Sequence, residues 1–127
     1  MATLKLLMSV LGRFAGPLTV DAGANVSSSD SGMSACGNPG NTGTPGATVS
    51  GGVEPYTFLW EQIGTPAESG PYNVSNSAIL NPNWGEPGGV CDGDSPTAET
   101  WRLTVTDDDL TVETDTITVT LIWVNTS

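Results

Sequence analysis

The sequence contains no histidine and very few basic residues. Its 127 residues include three cations, Lys5, Arg13 and Arg102, against 14 acidic side chains, which gives a formal net charge of −11. Three cations cannot neutralise a run of phosphates, and an anionic membrane surface repels such a chain, so we expect neither nucleic acid nor membrane as a partner. The absence of histidine removes Ser-His-Asp and Cys-His catalysis as well as imidazole metal sites.

Long apolar runs and helical patterns are missing too. No segment approaches the roughly 20 apolar residues of a membrane span, and apolar residues nowhere recur at helical spacing over three turns. Charged residues make up 13% of the chain and hydrophobic ones 37%, which is more apolar than is typical of a disordered acidic chain. The remainder is rich in Thr, Ser, Gly, Asn and Pro, residues that suit half-exposed strands and turns. This composition predicts a small all-β domain.

Cysteine is scarce as well. Cys36 and Cys91 both lie in Gly-rich stretches, where the pair can form a disulfide or remain as two free thiols. If the two are bonded, the loop they close is long, and the bond adds roughly 4 kcal/mol to stability in the entropic account.

What the sequence does contain is alternation with a period of two. It appears first at residues 56–62, where three aromatic side chains share one face, and again in the last third, where apolar side chains alternate with Thr. Such alternation indicates half-buried strands. The last third of the chain contains two of them, which we expect to form an antiparallel hairpin with its apolar face inside. The predicted core is Tyr56, Phe58, Trp60, Trp101, Leu103, Val105, Ile117, Val119 and Leu121.

The other segments carry weaker strand signals. Residues 17–20 and 47–50 are short strand candidates, as are residues 72–74 and 77–80. Residues 25–46 are rich in Ser, Gly, Asn and Thr, which predicts a long surface loop holding at most one short strand. About seven short strands separated by turn signals favour a β-sandwich.

Two stretches resemble a known family. Residues 51–60, Gly-Gly-Val-Glu-Pro-Tyr-Thr-Phe-Leu-Trp, resemble the segment of PKD-like and bacterial immunoglobulin-like domains that leads into the third strand and its core tryptophan. Residues 100–107 and 115–120 resemble the closing hairpin of the same domains. The resemblance implies an immunoglobulin-like antiparallel β-sandwich of about seven strands over residues 17–127, with Trp60 as the core tryptophan. A Cys36–Cys91 bond would tie loops, unlike the antibody disulfide.

Similar domains occur on tailed-phage virion proteins, where they decorate capsids and tails or lie at fibre tips. The resemblance therefore implies a non-enzymatic structural protein of the virion, assembled in the host cytoplasm, without a cofactor. Its partners would be other virion proteins and further copies of itself, and it would aid particle stability or adhesion to host-surface glycan. The alternative is a secreted or cell-surface PKD-like adhesion module that binds glycan or protein. Fold alone does not decide between them.

Residues 1–16 lie outside the resemblance and are unusually apolar. An exposed apolar segment of this kind marks an interface, so we interpret it as an arm that anchors the chain on a partner or a sister copy. An edge strand and a signal peptide headed by Lys5 are the other interpretations. The predicted assembly residues are Leu4, Leu6, Leu7, Met8, Val10, Leu11 and Phe14.

Two further features invite a functional interpretation. Asp107, Asp108 and Asp109 form a dense carboxylate run that, with Asp92, Asp94 or Glu113, could supply oxygen ligands to Ca²⁺; it is equally typical of a solvated hairpin turn. We predict no metal, because the EF-hand spacing is absent.

Trp84 lies in a Pro- and Gly-rich stretch, where it is either a surface-binding residue or a tryptophan folded over the end of the sandwich. Glycoside hydrolysis requires two carboxyl groups in a cleft, and no pattern indicates a cleft, so we predict that the chain is not an enzyme.

Overall fold

The computed structural model describes residues 16–127, and this part of the chain forms strands and turns but no helix. It therefore has no helix long and apolar enough to cross a membrane. The all-β prediction is confirmed for these residues. In chain order the strands are β1 (Thr19–Asp21), β2 (Val26–Gly32), β3 (Cys36–Gly37), β4 (Thr48–Ser50), β5 (Thr57–Ile63), β6 (Asn73–Val74), β7 (Trp84–Gly85), β8 (Val90–Cys91), β9 (Ala98–Thr106) and β10 (Val112–Asn125).

The largest sheet has four strands in the order β2-β10-β9-β5. Strands β9 and β10 form the predicted antiparallel hairpin, with Trp101 opposite Ile117, and β5 pairs antiparallel with β9, with Trp60 opposite Leu103. The period-two alternation places apolar side chains on one face of this sheet and mainly Thr and Ser on the other. Strand β2 runs parallel to β10 at the opposite edge.

Three two-stranded ribbons complete the described fold: β1–β4, β3–β8 and β6–β7, each antiparallel. Their buried side chains, such as Trp84 and Val90, join those of the four-stranded sheet in a single apolar core. At its centre the Trp84 ring meets Trp60 and Trp101 edge to face, with ring centroids 5.2 and 5.6 Å away, a favoured aromatic geometry. The several packed sheets are consistent with a β-sandwich.

The predicted core residues lie where the alternation puts them. Trp60, Trp101, Leu103, Val105, Ile117, Val119 and Leu121 are buried. Tyr56 and Phe58 are partly buried and pack against this core from the start of β5.

The prediction of a long loop over residues 25–46 is wrong, since the stretch contains the seven-residue strand β2 as well as β3. Strand β2 lies at the sheet edge and pairs with β10 through backbone groups. Among its residues only Val26 is buried; the others are Ser, Asp and Gly. With one apolar position, the strand shows no alternation that periodicity could detect.

The strand predicted at residues 77–80 is wrong too, because these residues form turns. The Asn76 carboxamide oxygen accepts a hydrogen bond from the Ala78 backbone nitrogen at 2.9 Å, which closes a local turn. The Ser77 carbonyl accepts one from the Trp60 nitrogen, also at 2.9 Å. A turn thus covers part of the free edge of β5. The neighbouring candidate at residues 72–74 does contain a strand, β6.

Candidate functional site

The predicted assembly residues, from Leu4 to Phe14, lie outside the described residues. The structure shows where the chain leaves that segment. The Gly16 carbonyl accepts a hydrogen bond from the Gly52 nitrogen at 3.0 Å, and the neighbouring Val53 carbonyl accepts one from the Asp108 nitrogen at 2.8 Å. The amino-terminal segment is therefore joined to the sandwich at the end that carries the β9–β10 turn.

The acidic run at that turn is a structural element. Asp107 is buried, and its Oδ1 accepts hydrogen bonds from the backbone nitrogens of Asp109 and Thr111, both at 2.9 Å. Its Oδ2 accepts a third from the Val53 nitrogen at 3.1 Å. The carboxylate thus fixes the hairpin turn and ties it to the segment before β5, which uses lone pairs that a calcium ion would need.

The structure does not gather the carboxylates that were considered for calcium. Asp94 lies beside β8, where its Oδ2 accepts a hydrogen bond from the Cys91 nitrogen at 2.9 Å. Within residues 16–127, no group of three or more His, Cys, Asp or Glu side chains could hold a metal ion.

Most acidic side chains in the described part of the chain stabilise the backbone, as Asp107 does. Eight of them accept hydrogen bonds from main-chain N–H groups, in loops and at the ends of strands. They are Asp21, Asp30, Glu68, Glu86, Asp94, Glu99, Asp107 and Asp115. Such bonds satisfy donors that loops leave unpaired. Much of the acidic composition is thereby explained by the architecture of the loops.

Glu99 is the most buried of these carboxylates, and no sequence pattern distinguishes it. It is 1% exposed, on the core face of β9. One oxygen accepts from the Ala67 nitrogen, and the other accepts from the Tyr72 nitrogen and from the Trp101 indole nitrogen, all at 3.0 Å. Three donors compensate for burial of the charge. The residue anchors the loop between β5 and β6 to the large sheet.

Tyr72 packs against this buried carboxylate. Burial of the phenol, together with the negative charge of Glu99, raises the pKa of Tyr72 above its usual value. The Tyr72 hydroxyl donates a hydrogen bond to the Thr97 carbonyl. The Ser69 side chain also interacts with the phenol and lowers its pKa, while the charge of Asp94 adds to the upward shift. We regard the Glu99–Tyr72 contact as part of the scaffold.

Cys36 and Cys91 form a disulfide that joins β3 to β8, where the two residues lie directly opposite each other. The β3–β8 ribbon is packed beside Trp123, whose indole nitrogen donates to the Ser34 carbonyl at 2.9 Å. Trp123 lies near the far end of β10, roughly 35 Å along the strand from the Asp107 turn at about 3.3 Å per residue. The disulfide and the junction with the amino-terminal segment thus occupy opposite ends of the fold.

The surface-binding role considered for Trp84 is contradicted by its burial. Its side chain is 0% exposed, and β7, which carries it, pairs with β6. The Thr42 hydroxyl accepts a hydrogen bond from the Trp84 nitrogen at 3.1 Å, and the Trp84 carbonyl accepts one from the Thr42 nitrogen at 2.8 Å. The Pro- and Gly-rich context is typical of a loop, but the Trp84 ring lies at the centre of the core.

Beside the buried Trp84 is a groove that sequence reasoning missed. It has a volume of about 220 Å³, and side-chain carboxamides dominate its lining. We call it the asparagine groove; its lining includes Asn38, Asn41, Asn73, Ser75, Asn83 and Pro87. These residues come from three separate parts of the chain and are common turn formers. No local motif therefore predicts the groove.

A second, wide depression of about 540 Å³ lies at the start of β5, lined by Glu54, Pro55, Tyr56 and Phe58. The Tyr56 hydroxyl donates to the Gly51 carbonyl at 2.5 Å. This contact places the depression close to the junction at Gly16, because Gly51 adjoins Gly52, the residue bonded to Gly16.

Comparisons with known proteins add little. No protein-family model matches the chain, and no curated protein matches it. Among solved structures it is similar to a nucleoside hydrolase-related hypothetical protein from Saccharophagus degradans that is associated with carbohydrate metabolism. The TM-score is 0.46 and the identity 19%, over 79% of this chain and 22% of that protein. The chain spans about a fifth of that protein's length, and we draw no conclusion from the likeness.

Proposed function

We propose that the chain is a non-enzymatic, immunoglobulin-like structural module of a phage virion, attached to the capsid or tail. The observation that carries the proposal is the use of the carboxylates. The acidic groups that could perform acid–base chemistry are dispersed, and eight of them accept hydrogen bonds from backbone N–H groups. A fold organised in this way provides a rigid surface rather than a reactive cleft.

The strand arrangement supports the immunoglobulin-like part of the proposal. An early strand, β2, pairs parallel with the last strand, β10, while β10, β9 and β5 follow one another as antiparallel neighbours. In this arrangement Trp60 on β5 is the core tryptophan that the resemblance implies. The disulfide joins the paired strands β3 and β8, where the sequence predicted loops, and it lies outside the four-stranded sheet, which supports a departure from the antibody pattern.

The two-ended layout supports attachment. The apolar amino-terminal segment, which carries two of the three cations, joins the domain at Gly16 beside the Asp107 turn. The disulfide-bonded ribbon lies towards the other end. A module anchored through its amino-terminal segment would present the ribbon end outwards, and repeated copies on a particle would add avidity to each weak contact.

Purified particles test the proposal directly. We expect quantitative mass spectrometry of gradient-purified virions to find the chain in a fixed ratio to a major structural protein. A chain lacking residues 2–16 should be lost from particles, while the Trp123→Phe variant, altered at the other end, should be retained. Absence of the full chain from particles, or retention of the shortened one, would contradict the proposal.

A secreted or cell-surface adhesion module is the second candidate, and the disulfide favours it. Disulfides persist in oxidising surroundings, which include cell surfaces and the extracellular space as well as virion surfaces. This candidate predicts that the chain is found in the culture medium with a processed amino terminus and is absent from particles. The same mass spectrometry, applied to medium and particles in parallel, separates the two candidates.

A further inference from the structure

We propose that the asparagine groove is a binding site for a neutral sugar ring. This goes beyond attachment to a particle, because it assigns a ligand class to the groove. The groove is lined by Asn38, Asn41, Asn73 and Asn83 together with Ser75, and its volume is about 220 Å³. That space is small compared with drug-sized pockets of roughly 300–1,000 Å³, so it suits one ring rather than an extended chain.

The chemistry of the lining selects for hydroxyl groups. Each carboxamide offers two N–H donors and an acceptor oxygen on one planar group, which matches the donor and acceptor capacity of neighbouring sugar hydroxyls. No charged side chain lines the groove, although the chain carries a net charge of −11. A site of this kind binds polar, uncharged molecules, and the surrounding negative field disfavours anionic ones.

The walls of the groove are fixed before any ligand arrives. Asn73 lies opposite Gly85 in the β6–β7 pairing. The Ser75 nitrogen donates to the Asn83 carbonyl at 2.8 Å, and the Asn83 nitrogen donates to the Ser75 hydroxyl at 3.0 Å. These bonds use backbone groups of Asn73 and Asn83, so the wall is built without consuming their carboxamides. A preorganised site loses less entropy on binding.

The opposite wall is held by different contacts. The Asn38 Oδ1 accepts a hydrogen bond from the Gly40 nitrogen at 2.8 Å, which orients that carboxamide and leaves its NH₂ group as the donor. The Asn41 carboxamide packs against Gly85, where an added Cβ would lie 2.1 Å from its Oδ1. The absence of a side chain at Gly85 is therefore what lets this carboxamide reach the groove.

Apolar surface completes the lining. Val74 and Pro87 supply aliphatic groups beside the carboxamides, as the C–H faces of a sugar require. No aromatic ring lines the groove, because Tyr72 and Trp84, which adjoin its lining residues in sequence, are both buried in the core. We therefore expect weak single-site binding, with a Kd of the order of 1–10 mM, which repeated copies would strengthen.

Titration of the full-length, ¹⁵N-labelled chain with the methyl glycosides of glucose, galactose, mannose and N-acetylglucosamine tests the site. We expect at least one of them to shift side-chain amide signals of Asn73 and Asn41 in a saturable way. The Asn73→Ala and Asn41→Ala variants should each weaken that binding by about tenfold. Asn125→Ala, altered at the end of β10, is the matched control and should bind as the unmodified chain does.

Several results would overturn the proposal. One is the absence of groove shifts with all four glycosides; another is unchanged affinity in both groove variants while their amide spectra show an intact fold. Methyl glucuronide binding as tightly as methyl glucoside at low salt would overturn the neutral-ligand assignment. Because the titration uses the isolated chain, its outcome is independent of whether the chain is found on particles.

Discussion

The four-stranded sheet and the three ribbons that cover it are stabilised in different ways. In the sheet, continuous backbone ladders join β2, β10, β9 and β5, and the side chains follow a simple alternation. In the cover, strands of two or three residues supply few ladder bonds. The cover is held instead by the buried Trp84 of β7, by the disulfide, and by Glu99, which accepts hydrogen bonds from the β5–β6 loop while lying on β9 of the sheet.

This difference has a consequence for the distribution of stability. A ladder spreads its stabilisation over many similar bonds, so the loss of one side chain on the outer face changes little. The cover depends on a few buried groups, each of which serves several neighbours, so the loss of one leaves donors unpaired or a cavity behind. The cover should therefore contain the positions most sensitive to substitution.

The Trp84→Ala substitution should have the largest effect. Its ring is 0% exposed and contacts two other tryptophans at the centre of the core. We expect the free energy of unfolding, measured by urea denaturation, to fall by about 3–5 kcal/mol. The control is Leu59→Ala on the outer face of β5, where the side chain is 44% exposed and the loss should be far smaller. Equal losses would contradict the contrast between sheet and cover.

Removal of the disulfide should come next. The bond joins residues separated by 55 positions, and the entropic account for a loop of that length gives about 4 kcal/mol, with measured losses of roughly 2–5 kcal/mol. Comparison of the Cys36→Ser/Cys91→Ser double variant with the oxidised chain by urea denaturation measures it. Addition of reductant should destabilise the unmodified chain and leave the variant unchanged. An oxidised chain no more stable than the variant would contradict the prediction.

The Glu99→Gln substitution tests the buried carboxylate. An amide keeps the shape but places an NH₂ group against backbone donors and removes the charge that three N–H groups stabilise. We expect a loss of about 2–3 kcal/mol in the free energy of unfolding.

Glu61→Gln is the matched control for that substitution. Glu61 pairs with Arg102 at 3.3 Å on the outer face of the sheet, with the two side chains 45% and 40% exposed. Such a pair contributes at most about 1 kcal/mol to stability. If Glu61→Gln proves as destabilising as Glu99→Gln, burial of the carboxylate at the contact between sheet and cover is not what makes Glu99 sensitive.

The same contrast explains which features the sequence could predict. The alternation around Trp101 and Ile117 reports burial on one face of a strand, because the sheet repeats the same environment at every second residue. Strand β2 shows no such alternation, because an edge strand composed mainly of Ser is held by its backbone pairing with β10.

The cover has no such period. Trp84 lies in a stretch that looks like a loop, and its burial depends on Trp60 and Trp101, which are distant in sequence. Glu99 is one acidic residue among 14 and is distinguished only by the backbone donors of Ala67 and Tyr72 that surround it. The asparagine groove likewise arises from three chain segments brought together by tertiary contacts. Local sequence patterns cannot predict contacts between residues that are distant in the sequence.

Among the buried groups, Tyr72 should show the smallest effect. The Tyr72→Phe substitution removes the hydroxyl that donates to the Thr97 carbonyl, which should cost about 1 kcal/mol at neutral pH. Tyr56→Phe is the matched control, because that hydroxyl also donates to a backbone carbonyl, that of Gly51.

The two variants should diverge at alkaline pH. Because burial and Glu99 raise the pKa of Tyr72 above 10.0 in the fold, folding favours the protonated phenol. Its contribution to stability is therefore complete below about pH 10 and is lost as the pH rises through the folded pKa. Urea denaturation between about pH 8 and pH 11 should show a steeper loss in the unmodified chain and in Tyr56→Phe than in Tyr72→Phe. Parallel profiles for all three proteins would mean that ionisation of Tyr72 does not limit the stability of the cover.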